Sequence, residues 1–459
     1  MATAIIITFV IGYLLIAFEH PLHIDKAASA LLTGVVCWSI YMFGIDSLVP
    51  AGSIPEWFAE KLGHHGEHAA YTKTFMQEWA VEGQLGHSLA EIAGILFFLM
   101  GAMTIVELVD AYEGFSIITD RINAKSQVTL LWIVSILTFF MSAVLDNLTT
   151  TIVMISLLKK LIKDHDRRLF YAGMVVIAAN AGGAWTVIGD VTTTMLWIKK
   201  KITPVPTMYW LFLPSLACLC VPLLFVSRYL RGPVERPDHV SHAHYKKLKP
   251  YQSMLFLCLG FGGLLFVPIF KAVTHLPPFM GVLFSLSVMW FISEIVKHDM
   301  DQETRSSTHV LSILKKIDTG SILFFLGILL AINSMASVGL LKQAAEALDS
   351  TVGNKNTIAI LIGLLSAVVD NVPLVAAGIE MYDLPMDNMF WIFLAYCAGT
   401  GGSCLIIGSA AGVAAMGLEK IDFMWYLKKV SFWALLGYLA GCGVYFAQIW
   451  IATAMGYTL

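Results

Sequence analysis

The chain has 459 residues, of which 58% are hydrophobic and 13% are charged, and its formal net charge is −3. A typical soluble domain is about 45–50% apolar and about 25% charged. So few charged residues cannot cover a soluble surface around a chain of this length, and no basic excess points to nucleic acid. The composition therefore predicts an all-α polytopic membrane protein and excludes a soluble enzyme.

Apolar stretches long enough to cross a membrane recur along the chain. A helix needs about 20 apolar residues to cross about 30 Å of hydrocarbon. The stretches that meet this length are 1–18, 27–45, 84–106, 202–227, 250–270, 272–293, 319–341 and 430–459. The first has no basic n-region, so we interpret it as a span rather than a cleaved signal peptide.

Four further apolar stretches are interrupted near their middle. They are 126–158 with Asp146, 169–198 with Asp190, 356–382 with Asp370, and 388–418 with the sequence GTGGS. A single helix over 126–158 would be about 50 Å long, and as two full crossings each arm would be too short. Basic residues flank both of its ends and place them on the cytoplasmic side. We therefore expect re-entrant hairpins at 126–158 and 356–382, and broken helices at 169–198 and 388–418.

This division gives about ten full spans and two hairpins, with both termini on the periplasmic side. Most lysines and arginines then fall in cytoplasmic loops, as they do in membrane proteins generally. Lys199, Lys200 and Lys201 fall on the opposite side and count against the assignment.

Three sequence matches recur in the same order along the chain. ILFFLMGAM (95–103) matches ILFFLGILL (322–330), VLDNLTTTIV (144–153) matches VVDNVPLVAA (368–377), and GGAWTVIG (182–189) matches GGSCLIIG (401–408). We expect two repeats, 1–230 and 250–459, joined by a cytoplasmic linker over 231–249. Each repeat then contains five full spans. Because five is an odd number, the two copies must be inverted relative to each other in the membrane, an arrangement typical of secondary transporters.

The charges that lie deep in the predicted spans are acidic. They are Asp146, Asp190 and Asp370, and no lysine or arginine lies equally deep. Charges inside a membrane indicate function, and this asymmetry favours a cation as the substrate. Desolvation disfavours the charged form of a carboxylate, so each can hold a proton or a metal cation. The alternative is that each aspartate only caps a helix N-terminus.

The first repeat is the richer in such groups, because Ser409 stands in the second repeat where the first has Asp190. We therefore expect Asp146 and Asp190 to bind Na⁺ and to couple it to protons, with Asp370 auxiliary. No cofactor is expected besides the transported ions.

Four sequences resemble those of the NhaD-type bacterial sodium/proton antiporters of the ion transporter superfamily. They are LDNLTTTIVM (145–154), ANAGGAWTVIGDVTTTM (179–195), SAVVDNVPLVAAGIEMY (366–382) and GTGGS (399–403). The resemblance extends over most of 85–420. It implies electrogenic exchange of Na⁺ or Li⁺ for H⁺ in the bacterial inner membrane, most active at alkaline pH. It also implies a homodimer whose transport domains move like elevators.

The resemblance also implies which residues bind the ions. The positions that match the family pattern for binding and coupling are Asp146, Asn147, Asn180, Asp190, Thr192 and Thr193. The neighbouring polar residues expected to assist them are Thr149, Asp370, Asn371, Thr400 and Ser403. A proton path is expected through Glu91, Ser142 and Ser366.

Two alternatives remain open at this point. A relative in the same superfamily could transport an anion such as a dicarboxylate, an oxyanion or arsenite, since helix N-termini can bind anions. Three deep aspartates argue against this. An intramembrane aspartyl protease would also need two aspartates. Such enzymes use a glycine two residues before a Gly-Asp pair, whereas Val187 stands at that position before Gly189 and Asp190.

Overall fold

The computed structural model is built from helices joined by short irregular segments over the residues it describes. These are 1–17, 19–49, 54–55, 58, 72–119, 122, 124–230, 232–234, 248–368 and 370–456. Within them the extended pairing is one isolated antiparallel bridge between Ser126 and Pro233. The expectation of an all-α protein is confirmed. The histidine-rich sequence 64–68 and most of the predicted linker, residues 231 and 235–247, lie outside the described residues.

Helices of eight or more residues are numbered in chain order. The first eight are α1 (Ala2–Ala17), α2 (Lys26–Phe43), α3 (Gly86–Ala111), α4 (Gln127–Leu145), α5 (Asn147–Leu161), α6 (His165–Ala184), α7 (Val191–Ile198) and α8 (Pro204–Val226). The others are α9 (Pro250–Thr274), α10 (Pro278–Val296), α11 (Thr319–Ser337), α12 (Leu340–Val352), α13 (Lys355–Leu365), α14 (Asn371–Met381), α15 (Met389–Gly401), α16 (Ala410–Glu419) and α17 (Ser431–Ala454).

Shorter helical segments lie between these helices. They are Glu19–Leu22, Ile45–Leu48, Lys73–Glu78, Ser116–Thr119, Gln302–Ser307, Val310–Ile313 and Phe423–Lys429, together with a π-helix at Trp79–Leu85 and a 3₁₀ turn at Lys297–Asp299. The π-helix runs directly into α3, so Lys73–Ala111 forms one helical stretch of 39 residues.

Among the described residues, eight helical stretches are long and apolar enough to cross a membrane. Seven of them coincide with predicted full spans and confirm a polytopic membrane protein. The eighth, Gln127–Leu145, is the first arm of the predicted hairpin at 126–158. That arm has 19 residues, or about 28 Å of helix, and is longer than we expected. The reason is that the chain breaks at Asp146, beyond the middle of the segment, which leaves only 15 residues for α5.

The other three interrupted segments also break where polar or glycine residues interrupt the apolar sequence. Residues 185–190 separate α6 from α7, and residues 402–409 separate α15 from α16. Helices α13 and α14 have 11 residues each; α13 ends at Leu365 and α14 begins at Asn371.

The chain divides into two compact units. The first comprises Met1–Leu96, Asp318–Gly353 and Ala376–Asp383, and the second comprises Phe97–Ile317, Asn354–Val375 and Leu384–Leu459. In the first unit α2 packs along α11. Glycines bring their backbones together, because a Cβ on Gly34 would lie 2.6 Å from the carbonyl oxygen of Gly327. Small residues of this kind are typical of close helix packing in membranes.

The second unit contains both broken helices and is held together by equally close backbone contacts. A Cβ on Gly182 of α6 would overlap the backbone of Phe139 in α4, and a Cβ on Gly401 of α15 would overlap the backbone of Gly363 in α13. Positions 182 and 401 are equivalent in the sequence matches, so the two halves of the chain use glycine in the same way. These contacts position α4 and α13 against the helices that break.

A buried ion pair joins the two halves within the second unit. The carboxylate of Glu419, at the end of α16, accepts from Nε of Arg168 in α6 at 2.9 and 3.0 Å. His165 Nδ1 lies 3.7 Å from the same carboxylate, and Lys159 Nζ donates to the carbonyl oxygen of Leu418 at 2.9 Å. Only 1% of the Glu419 side chain is exposed. The end of α16 is thereby fixed to the ends of α5 and α6.

We expect Gly182→Ala to destabilise the folded protein by at least about 1–3 kcal/mol, the usual cost of overpacking a core. The added methyl group would displace the backbone of α4. Gly443→Ala is the matched control, because a Cβ at that helical position meets nothing within 4 Å. It should be neutral or stabilising by up to about 1 kcal/mol, since alanine is the better helix former. Thermal unfolding in detergent measures both, and equal melting temperatures would contradict the packing argument.

Candidate functional site

Asp146 forms the tip between α4 and α5 and has an unusual backbone conformation. Its φ is 75° and its ψ is 159°, a region that costs a non-glycine residue about 1–3 kcal/mol. The carboxylate caps α5, with Oδ1 accepting from the Thr149 N–H at 2.8 Å and Oδ2 from the Thr149 hydroxyl at 2.8 Å. Strain of this kind persists where the surrounding structure imposes it, and it is concentrated at functional sites.

Asp190 ends the break in the first half and caps the short helix α7. Its Oδ1 accepts from the Thr192 N–H at 2.8 Å and from the Thr192 hydroxyl at 2.6 Å. The Thr193 hydroxyl donates to the Asp190 carbonyl oxygen at 2.8 Å. Only 1% of Asp190 is exposed. The two threonines therefore hold the aspartate rather than extending away from it.

Two asparagines connect Asp190 with the break in the second half. Asn147 donates through Nδ2 to Oδ2 of Asp190 at 2.6 Å and to Oδ1 of Asn180 at 2.9 Å. Asn180 donates in turn through Nδ2 to the hydroxyl oxygens of Ser403 and Ser409, both at 2.9 Å. All five side chains are buried. The network reaches from the tip of one helix pair across to the other broken helix.

Asp146 and Asp190 line the same small cavity. Its volume is about 20 Å³, which is room for about one water molecule. The lining residues are Phe98, Leu99, Ala102, Met103, Val144, Leu145, Asp146, Ile188, Asp190, Val191, Thr194 and Leu264. They include two carboxylates and no basic side chain. An apolar wall around two carboxylates strengthens their attraction for any cation, because the local dielectric is low.

The second half contributes fewer groups than the first. Asn371 interacts through its side chain with Asp190, and Asp370 exerts an electrostatic influence on the same carboxylate. Asp370 Oδ1 accepts from the N–H of Val372 at 3.3 Å. The Thr400 hydroxyl donates within its own helix, to the Tyr396 carbonyl oxygen at 2.6 Å.

The three residues expected on a proton path do not share one environment. The Ser142 hydroxyl donates to the Ala179 carbonyl oxygen at 2.6 Å. The Ser366 hydroxyl donates to the Ala398 carbonyl oxygen at 3.0 Å. Both serines are fully buried in the second unit. Glu91 belongs to the first unit, where its Oε1 lies 3.6 Å from Nε2 of His87 and about a third of its side chain is exposed.

Ser409 is a site residue that the sequence reasoning did not assign. Its hydroxyl oxygen accepts from Asn180 and from the N–H of Gly412 at 3.2 Å, which caps α16. The repeat alignment could have identified it, because it pairs Ser409 with Asp190. A second difference between the halves concerns Asn180, whose counterpart 219 residues on is Gly399. A Cβ there would lie 3.3 Å from Cβ of Ala184 and 4.0 Å from Oδ2 of Asp190.

Every acidic group at the site also caps a helix, as the capping alternative requires. Asp146 and Asp190 each bind the N–H groups of the helix that follows. Capping uses only part of a carboxylate, which has about four lone-pair sites. The remaining lone pairs, with neighbouring amide and hydroxyl oxygens, form an acidic, oxygen-rich site with the chemistry to bind a cation or a proton.

Comparison with known proteins places this site in a transporter family. Residues 13–391 match the family model described as citrate transporter. Sodium/proton antiporter 1 of Arabidopsis thaliana is 46% identical over 449 residues, covering 97% of this chain and 72% of that protein. The Na⁺/H⁺ antiporter NhaD of Vibrio cholerae is 30% identical over 466 residues, covering 95% of this chain and 89% of that protein. The NhaD of Alkalimonas amylolytica is 28% identical over 468 residues, covering 95% and 88%.

These relatives are named as transporters, and the alignments extend over nearly the whole chain, including the residues of the candidate site. The chain is therefore a multi-pass membrane protein that belongs to the citrate transporter family and, within it, to the NhaD-type sodium/proton antiporters.

Proposed function

We propose that this protein exchanges Na⁺ or Li⁺ for H⁺ across a membrane, using the carboxylates of Asp146 and Asp190. The observation that carries the proposal is that both carboxylates line one water-sized cavity that contains no basic side chain among its lining residues. The antiporter names of the relatives support it. Protons moving inward neutralise the carboxylates and displace the metal cation outward.

Exchange follows from the cost of an unpaired buried charge. An isolated carboxylate is too costly to hold in an apolar interior. The binding site therefore changes its exposure from one side of the membrane to the other only with the metal cation or with protons bound. Na⁺ binds at Asp146 and Asp190, and Asp370 is auxiliary. The further ligands in this proposal are Asn147, Thr149, Asn180, Thr192, Thr193, Asn371, Thr400 and Ser403. We also propose roles in proton transfer for Glu91 in the first unit and for Ser142 and Ser366 in the second.

The proposed transport cycle uses two inverted repeats, 1–230 and 250–459. The equivalent glycine contacts of Gly182 and Gly401 support the duplication. We propose re-entrant hairpins at 126–158 and 356–382, termini on the periplasmic side, and a homodimer whose transport domains move in an elevator fashion. The bacterial inner membrane fits the NhaD relatives, although two relatives of higher identity are plant proteins.

Anion transport is the second candidate, favoured by the citrate transporter description of the family model. The N-termini of α5, α7 and α16 are joined through the network of Asn147 and Asn180, and helix N-termini attract anions. The carboxylates of Asp146 and Asp190 occupy two of those N-termini and would repel a dicarboxylate. The cavity also has no arginine or lysine to offset that repulsion.

A proton-flux assay in proteoliposomes or everted vesicles separates the two candidates. A pH-sensitive dye reports ΔpH while Na⁺, Li⁺, K⁺ or citrate is added at pH 7 and pH 8.5. We expect Na⁺ and Li⁺ to collapse ΔpH and citrate to leave it unchanged, because the site is acidic. Citrate uptake without any response to a cation would replace the proposal with anion transport.

We expect Asp146→Asn to abolish exchange, with at least about a hundredfold loss of rate, because an intramembrane ionisable residue is functional by default. Asparagine caps helices as well as aspartate does, so the fold should be retained. Asp422→Asn is the matched control, since Asp422 also caps a helix, by accepting from the Trp425 N–H, but is exposed. It should transport normally. Near-normal exchange in Asp146→Asn would leave capping as the sole role of that residue.

We expect a smaller effect from Asp370→Asn, a loss of rate of about tenfold or less, because Asp370 does not line the cavity and acts on Asp190 only through its field. Initial rates and the Na⁺ concentration for half-maximal response should be compared with those of Asp190→Asn. Equal loss in both variants would make Asp370 a full member of the coupling site.

A further inference from the structure

Ser409 holds the position in the second half that Asp190 holds in the first. The offset of 219 residues is the one that relates the two broken-helix sequences. Asp190 precedes α7 with φ −144° and ψ 147°, and Ser409 precedes α16 with φ −147° and ψ 153°. Each side chain accepts from a backbone N–H in the first turn of its helix. The two residues share their backbone geometry and their capping role, and they differ in charge.

The surroundings of the two caps are also equivalent. Ser142 donates to the Ala179 carbonyl oxygen, and Ser366 donates to the Ala398 carbonyl oxygen. The donors are related by an offset of 224 residues and the acceptors by 219. The breaks are therefore held in the same way in both halves, and the difference in charge at 190 and 409 is not a consequence of a different local fold.

One path of hydrogen bonds joins the two positions. Asn147 donates to Asp190 at 2.6 Å and to Asn180 at 2.9 Å, and Asn180 donates to Ser409 at 2.9 Å. The exposed fractions of the four residues are at most 4%. Two amides thus separate the carboxylate of one half from the hydroxyl of the other, so a charge at 409 would act within the same buried network.

The donors that a carboxylate at position 409 would need are already in place. Nδ2 of Asn180 and the N–H of Gly412 both donate to the Ser409 hydroxyl oxygen, at 2.9 and 3.2 Å. A carboxylate would accept from the same two groups and would gain from the helix N-terminus behind it. The neighbours of Ser409 do not themselves exclude an aspartate.

We propose that Ser409 limits the charge exchanged in each transport cycle, because it keeps the second half free of the carboxylate that the first half carries at Asp190. This inference rests on the proposed Na⁺/H⁺ exchange. On the inward leg an aspartate at 409 carries one proton, as the carboxylates of Asp146 and Asp190 do, whereas a serine carries none. It releases that proton inside, and on the outward leg its charge is stabilised by the bound cation and by the Asn180 and Gly412 donors, so one more proton is exchanged in each cycle. Interchanging residues 190 and 409 transfers the proton-binding group to the other half.

The first test compares Ser409→Asp with Ser409→Asn, which has nearly the same shape but no charge. In proteoliposomes with the membrane potential clamped at zero, the H⁺/Na⁺ ratio follows from the Na⁺ gradient that stops net proton flux at a fixed pH gradient. We expect the ratio to rise by about one proton per cycle in Ser409→Asp, and to stay at the wild-type value in Ser409→Asn whatever its rate. The same ratio in both variants would overturn the inference.

The second test keeps the number of carboxylates constant and so does not depend on the core accepting an extra one. We expect Asp190→Ser to lose exchange by about a hundredfold, and the double variant Asp190→Ser/Ser409→Asp to recover it by about tenfold, because the carboxylate returns to the same network. Size-exclusion profiles and melting temperatures in detergent check that each variant folds. A folded double variant that is no faster than Asp190→Ser would overturn the inference.

The outcomes also separate this inference from the function on which it rests. Wild-type protein without any Na⁺- or Li⁺-driven proton flux contradicts the proposed exchange itself. Wild-type exchange that is lost in Asp190→Ser, together with an unchanged ratio in Ser409→Asp and no recovery in the double variant, contradicts only the role of Ser409.

Discussion

Helices that break inside a membrane leave backbone N–H groups that neither water nor lipid can satisfy, and the whole core depends on how these groups are bound. Asp146, Asp190 and Ser409 bind them at the starts of α5, α7 and α16. A helix N-terminus favours negative charge, so the breaks create places where the protein can keep carboxylates that the bilayer would otherwise exclude. Structural support and the ion binding that we propose therefore involve the same side chains.

This double role determines which substitutions are informative. Removing Asp146 or Asp190 altogether would remove a cap and a charge together, whereas asparagine keeps the cap. Asp146 also holds a backbone conformation with a φ of 75°, which the packed helices on either side must impose. Its side chain is consequently placed by the fold itself, as the ion site that we propose would require.

Much of this organisation could be predicted from the sequence, because apolar length reports membrane spans directly and a deep aspartate or a glycine run reports a break. The tip at Asp146 and the break before Asp190 follow from that pattern. The 19-residue length of α4 was not predicted, because we placed the interruption near the middle of the segment and the helix continues to Leu145. Nor was the hydrogen bond from Asn180 to Ser409, because it joins residues 229 positions apart whose proximity depends on tertiary packing. Helix α12 was not predicted either. It begins after Gly339, whose φ is 79°, at the end of the apolar stretch 319–341.

Gly399 has a consequence for how the two halves can evolve. It occupies the position equivalent to Asn180, where a Cβ would lie 3.3 Å from Cβ of Ala184, so a larger side chain there would have to displace Ala184. A single asparagine serves both breaks, and the halves are complementary rather than identical. A chain with two copies of the second half would have glycine at both positions and would lack the amide that donates to Ser403 and Ser409. Each half now supplies residues that the other lacks, so neither half could replace the other in this network.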